Sequence, residues 1–288
     1  LALHEGVPAE QILCGNGAAD LIFRLVWAKK PRRALVTAPT FAEYATALES
    51  VGCTVERFFL REQENFAVTD AFCAAIRPGV DMVFLCQPNN PTGQLTALPL
   101  MEQILHRCAA CGTLLVVDEC FLDFLPDHAL HTAKGLLGEG NLVILKAFTK
   151  LYGMAGVRLG YALSADTALL EQMQACGQPW GVSSLAQAAG LAALEETAYV
   201  ENVRALIAEQ RPRLTDGLRA LGLRVLNGRA NYLLFQAPET LGETLRQRGA
   251  VLRSCANYPG LGPGWYRTAV RTGPENEQLL KLLAEVLE

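Results

Sequence analysis

The stretch LKAFTKLYGMAGVRLG, residues 145–160, ends an apolar run with an amine, Lys150, and places an arginine, Arg158, eight residues later. A charged amine is poorly tolerated at the end of a buried strand. It either carries its head to water along its aliphatic stem or serves as an amine in chemistry. A second polar group stands in LLVVDECFLDF, residues 114–124, where Asp118 and Glu119 follow four apolar residues. A buried carboxylate is costly unless paired, so Asp118 is expected to have a cationic partner. In CQPNNPTGQL, residues 86–95, prolines and a glycine fix the backbone around Asn89 and Asn90. In APTFAEY, residues 38–44, Phe41 either stacks on a planar ligand or fills the core. In CGNGAADLIFRL, residues 14–25, the amides of Gly17, Ala18 and Ala19 open a helix. They form either an anion site or a plain strand-to-helix turn.

Taken together, these groups match the needs of one cofactor, pyridoxal 5'-phosphate. It requires an amine for its aldehyde, a carboxylate against its ring nitrogen and a donor to its ring oxygen. It also requires a stacking face and a phosphate cup.

The elements that must position these groups are legible in the hydrophobic pattern. Strands are predicted at 33–39, 54–60, 81–88, 113–120, 142–148 and 157–164, several of them near-continuous in Val, Leu and Phe. That is the pattern of strands buried on both faces. Helical patterns at 18–29, 40–51 and 97–111 lie between them. The alternation predicts an α/β sheet with helices on both faces, and ligands bind at the carboxyl ends of such strands. From about residue 195 the texture changes to a long charged helix, short strands and a final helix. We therefore divide the chain into a large cofactor-binding domain, 1–194, and a smaller C-terminal α+β domain, 195–288.

Composition excludes other classes. Hydrophobic residues make up 51% and charged residues 19%, which is the balance of a globular enzyme. The net charge of −4 gives no general attraction to nucleic acid or to an anionic membrane. No apolar run reaches membrane-spanning length, and the start lacks the pattern of a secretory leader. Nine scattered cysteines, an odd number without framework spacing, read as reduced thiols of a cytoplasmic protein. Cys108 and Cys111 form a lone CAAC late in a helix, and the four histidines make no ligand pattern. No metal site is expected.

In order, GNG, PTF, PNNPTG, DE and the lysine–arginine pair resemble the fold-type-I pyridoxal-phosphate-dependent aminotransferases of class I and II, over nearly the whole chain. The resemblance implies a fold-type-I transferase: a mostly parallel sheet with helices on both faces, plus a smaller C-terminal α+β domain. It implies that Lys150 binds the cofactor's aldehyde and that Asp118 pairs with the ring nitrogen. Asn90 is matched to the donor to the ring oxygen and Phe41 to the stacking aromatic. Gly17, Ala18, Thr149 and Arg158 are matched to the phosphate cup. Arg267 is matched to the arginine that grips the substrate carboxylate, and a homodimer is expected. Family members carry an N-terminal arm that this chain is expected to lack.

Three segments, DECFLDFLP, QPWGVSSLAQAA and residues 251–280, are similar to the threonine-phosphate decarboxylase branch of cobalamin synthesis. Phe121 stands where many relatives have a tyrosine that donates to the ring oxygen, and a phenyl ring cannot donate. The branch implies decarboxylation of L-threonine O-3-phosphate to (R)-1-amino-2-propanol O-2-phosphate. Histidinol-phosphate aminotransferase activity and a non-catalytic cofactor-binding remnant are the alternatives. Arg253 and Arg271 bind the substrate phosphate or are solvated surface charges. Trp180 walls the pocket or packs, and Asn231 and Asn257 are weaker candidates.

Overall fold

The computed structural model describes residues 1–287, which form two sheets. The larger contains β1 (Ile12–Gly15), β2 (Arg33–Ala38), β3 (Thr54–Phe59), β4 (Met82–Cys86), β5 (Leu114–Asp118), β6 (Leu142–Ala147) and β7 (Gly160–Leu163). Their spatial order is β1-β7-β6-β5-β4-β2-β3. Strands β2 to β6 run parallel, and β7 is antiparallel to both of its neighbours.

The period of two along each strand explains the apolar runs. Val83, Leu85, Leu115, Val117 and Ile144 face one apolar cluster, and Met82, Phe84, Val116, Val143 and Leu145 face another. A helix covers each side. Helix Leu98–Cys111 buries Met101, Ile104, Leu105 and Cys108, and helix Ala18–Lys29 buries Leu21, Ile22, Leu25 and Val26. Both sets follow the three- and four-residue spacing of one helix face.

The predicted strands all end short of their patterns, and two elements are shortened most. The strand expected over 157–164 begins at Gly160, because Arg158 has φ +61°, a left-handed conformation no strand can continue. The helix expected over 40–51 spans Glu43–Glu49. Residues 39 and 40 are drawn into the next loop instead: the Pro39 carbonyl accepts from Asn89 and the Thr40 hydroxyl donates to it.

The smaller sheet contains β8 (Arg224–Val225), β9 (Tyr232–Gln236), β10 (Arg253–Ser254) and β11 (Trp265–Ala269), antiparallel in the order β10-β11-β9-β8. Helices Thr197–Ala220 and Gly273–Leu287 pack on it through Leu214, Leu218 and Leu283 against Leu233, Phe235 and Tyr266. Leu122, Phe124 and Leu151 join this same cluster, so the strand ends that carry the polar motifs are packed directly against the C-terminal part.

Beside β6 lies an ionic cluster that the sequence pattern did not reveal. Lys146 is 6% exposed and pairs with Asp123 at 3.0 Å and Glu5 at 3.3 Å. Lys134 also reaches Glu5, at 3.2 Å, and Tyr161 donates its hydroxyl to it. Burial alone raises the Glu5 carboxyl, but Lys146, Tyr161 and Lys134 prevail and hold it at about 2 against an ordinary 4.5. Its contribution to stability is therefore complete above pH 4.5 and is lost as pH falls toward 2. Removing one member of a buried pair leaves the others uncompensated. Lys146→Met is expected to destabilise the protein by about 3–5 kcal/mol, measurable as a lower urea midpoint at unchanged slope.

Candidate active site

The carboxyl ends of β1, β2, β4, β5 and β6, with the turns that follow them, meet at one cavity of about 200 Å³. It collects nine of the residues singled out above: Ala18, Ala19, Phe41, Asn90, Asp118, Phe121, Thr149, Lys150 and Arg158.

The turn after β1 forms one wall. Gly17 has φ +84°, and a Cβ there would lie 2.6 Å from Arg158 Nη2. A Cβ on Gly160 would lie 2.6 Å from the Ala18 nitrogen, so a side chain at either glycine closes this wall. Asp20 pins the turn by accepting the Asn16 N–H at 2.8 Å, and Arg24 balances its charge at 2.8 Å. The twelve-residue helix Ala18–Lys29 thus presents its first amides beside Arg158, a setting that favours an anion.

Asp118 is the last residue of β5 and is 5% exposed. The cationic partner expected for it is absent among the described residues. Oδ2 accepts the Tyr44 hydroxyl at 2.6 Å, and Oδ1 accepts the Cys120 N–H at 3.0 Å. Neutral donors therefore hold this carboxylate in place. The other expected carboxylate, Glu119, faces away and accepts from the Ala133 N–H at 2.7 Å and the Thr132 hydroxyl at 2.8 Å.

The two asparagines of PNNPTG divide the work. Asn89 ties the loop together: it accepts from Thr40 and donates to Pro39 and Thr92. Its carbonyl accepts the Tyr232 hydroxyl at 2.9 Å. Asn90 faces the cavity, its Oδ1 accepting from Arg267, and its Nδ2 has no partner among the described residues.

Lys150 lies not within the strand but on the single turn Phe148–Leu151 that follows β6. It is exposed at the cavity rather than buried, because the turn lifts it clear of the sheet. Its Nζ sits 5.3 Å from the centre of the Phe121 ring and makes no ion pair among the described residues. The cavity thiols are poor rivals as nucleophiles. Burial, then the charge of Asp118, pushes Cys86 up to about 12 and Cys120 well above its ordinary 9.

Of the residues expected to meet a substrate, Arg267 reaches the cavity through Asn90, and its guanidinium carbon lies 5.0 Å from the centre of the Tyr232 ring. Arg253 is its direct partner across the β10–β11 ladder and rests 5.8 Å from the Tyr258 ring centre. Arg271 is not brought to them. It lies beyond the end of β11, where Glu275 engages it at 2.6 Å. Trp180 is not at this cavity either. It is 96% exposed with φ +61°, and the space beneath its loop is filled by Arg24, 2.2 Å from where a Cβ of Gly177 would stand. Asn231 sits under the small sheet with its Oδ1 unpaired. Tyr44 and Tyr232 escaped sequence reading, since a tyrosine in an apolar pattern is ordinarily core.

The residues fit pyridoxal phosphate. A free amine, a fixed carboxylate and an amide with an open donor surround the space, with an aromatic face and a helix N-terminus flanked by an arginine. The profile described as Aminotransferase class I and II matches residues 3–286. The chain belongs to that family. It is 40% identical to the threonine-phosphate decarboxylase of Salmonella typhimurium over all of this chain and 80% of that one. It is 32% identical to the histidinol-phosphate aminotransferase of Nitratidesulfovibrio vulgaris over all of this chain and 78% of that one. The crystal structure of the histidinol-phosphate aminotransferase from Clostridium acetobutylicum superposes with a TM-score of 0.93 at 26% identity, covering 99% of this chain and 86% of that one. The class I and II aminotransferase family has the fold-type-I architecture and depends on pyridoxal phosphate, and this chain is an enzyme of that group. Among the described residues no helix is long and apolar enough to cross a membrane.

Proposed function

We propose that this enzyme is a pyridoxal-phosphate lyase that decarboxylates L-threonine O-3-phosphate to (R)-1-amino-2-propanol O-2-phosphate. The observation that carries this reading is the pair Arg253 and Arg267, facing each other across β10 and β11, with Arg267 bonded to Asn90 at the cavity. A substrate with both carboxylate and phosphate needs two cationic anchors, because one guanidinium forks well to only one such group. The 40% identity to a threonine-phosphate decarboxylase supports it further.

When bound, pyridoxal phosphate supplies an aldehyde and a ring that accepts the electron pair left as the carboxylate departs. Lys150 would hold that aldehyde, and Lys150 or a water would return a proton to the substrate carbon. Asp118 would hold a proton at the ring nitrogen, and Asn90 would donate to the ring oxygen in the absence of a hydroxyl at Phe121. Phe41 would supply the stacking face. The Gly17 and Ala18 amides, Thr149 and Arg158 would hold the phosphate. Arg267 would take the substrate carboxylate and Arg253 the substrate phosphate. The cofactor unit is taken as 1–194 and the smaller unit as 195–288.

A homodimer is part of this reading. Helix Ser184–Glu195 leaves Leu185 81% and Leu191 69% exposed, apolar surface that a second copy would cover. A cytoplasmic location accords with nine free thiols.

The second reading is histidinol-phosphate aminotransferase, favoured by the likeness to the Clostridium structure. One assay separates the two: carbon dioxide release from threonine phosphate against glutamate formation from histidinol phosphate and 2-oxoglutarate. Arg253→Ala is expected to cut the preference for threonine phosphate over free threonine by about ten- to a hundredfold, the scale of one charge-assisted contact. Arg267→Ala should impair both substrates alike. An enzyme that aminates 2-oxoglutarate but releases no carbon dioxide belongs to the second reading.

A further inference from the structure

We propose that Tyr44 is a positioning residue: its hydroxyl, donating to Asp118, keeps that carboxylate ionised and thereby keeps the proton on the ring nitrogen of the bound cofactor. The inference rests on the pyridoxal-phosphate reading above.

Tyr44 is fully buried, three residues after Phe41. Its ring lies nearly parallel to Phe84, with centroids 4.8 Å apart, and edge-on to Phe41 at 5.5 Å. Two aromatic walls thus fix the direction of its hydroxyl. The hydroxyl meets Asp118 Oδ2 at 2.6 Å, the distance of a charge-assisted bond. The other carboxylate oxygen takes the Cys120 N–H at 3.0 Å. Neither donor is a cation. The neighbouring Cys86 thiol stays protonated, and Arg267 is committed to Asn90. A carboxylate buried without a charged partner tends to take up a proton. Donors to its ionised form oppose that.

The consequence concerns a shared proton. Between Asp118 and a pyridine nitrogen, the proton rests with the more basic partner. Each hydrogen bond donated to Asp118 makes the carboxylate less basic and moves the proton toward the ring. Tyr44 is a dependable donor, because burial and then the charge of Asp118 push its own ionisation well above 10. A purely structural tyrosine could be replaced by phenylalanine without effect, since both fill the slot between Phe41 and Phe84. Only the hydroxyl matters here.

The test is nuclear magnetic resonance of the holoenzyme carrying pyridoxal phosphate labelled at its ring nitrogen with the heavy isotope. The wild-type signal should lie at the protonated position. In Tyr44→Phe the ratio of protonated to unprotonated nitrogen should fall by about ten- to a hundredfold, with kcat lowered and KM little changed. A monofluorinated tyrosine at position 44, a stronger donor of similar shape, should restore the protonated signal. It alone decides the matter if Tyr44→Phe does not fold. An unchanged nitrogen signal in Tyr44→Phe overturns the inference and leaves the cofactor reading intact. So does a fluorinated enzyme whose nitrogen is unprotonated. Wild-type protein that binds no cofactor overturns both.

Discussion

Lys150→Ala is expected to lower turnover by at least about a thousandfold, at the upper end of what one acid–base group contributes. Borohydride should no longer fix the cofactor to the protein. On the proposed reading the amine would serve twice, holding the aldehyde in the resting enzyme and, itself or through a water, returning a proton during turnover. Lys150 is the only lysine lining the cavity among the described residues. Lys146, four residues earlier, is the tempting rival. It is buried between Glu5 and Asp123, and those anions raise its pKa despite its burial, so its nitrogen is held as an ammonium and cannot attack. The reduced adduct in wild-type protein must therefore map to Lys150. Lys150→Arg should fail as badly as the alanine variant, since it keeps the charge and loses the nucleophilic amine. An adduct on any other lysine, or an arginine variant with near-normal turnover, would contradict the assignment.

How much of this was legible in the sequence depended on how local each feature is. The strands carrying Cys86 and Asp118 read well because β4 and β5 are buried at every position and must be apolar throughout. Polar residues at their ends then had little else to do but line a site. Contacts made over long separations were not legible. The Tyr44–Asp118 bond spans 74 residues, and a tyrosine in a short helix carries no mark of its partner. The same holds for Glu5, joined to Tyr161 across 156 residues. The sequence asked for a cation beside Asp118 but could not show that the protein itself supplies only two neutral donors, one to each carboxylate oxygen. Arg253 and Arg271 looked equivalent in sequence. The ladder sets Arg253 opposite Arg267, while the end of β11 leaves Arg271 to Glu275. Trp180, which sequence left as wall or packing, stands 96% exposed on its loop, because a loop's backbone direction is not encoded in residue type.

Asp118→Asn tests the electronic half of the site without disturbing its shape. An amide is isosteric with the carboxylate and can still accept from the Cys120 N–H, and the Tyr44 hydroxyl can rotate to accept from the new amide N–H. It cannot carry the negative charge that keeps a proton at the ring nitrogen. Turnover is expected to fall by at least about a hundredfold, the scale of losing one preorganised electrostatic partner. The borohydride adduct on Lys150 should still form, because that bond needs only the amine and the aldehyde. The cofactor-free protein should lose no stability, since Asp118 sits 5% exposed with no cation beside it and a neutral amide is cheaper to bury. Those three results together distinguish a lost charge from a damaged fold. Urea unfolding of the cofactor-free variant supplies the stability arm and steady-state decarboxylation the activity arm. Near-normal turnover in the asparagine variant would remove Asp118 from the chemistry. A fall in turnover matched by a lower urea midpoint would assign the carboxylate to structure alone.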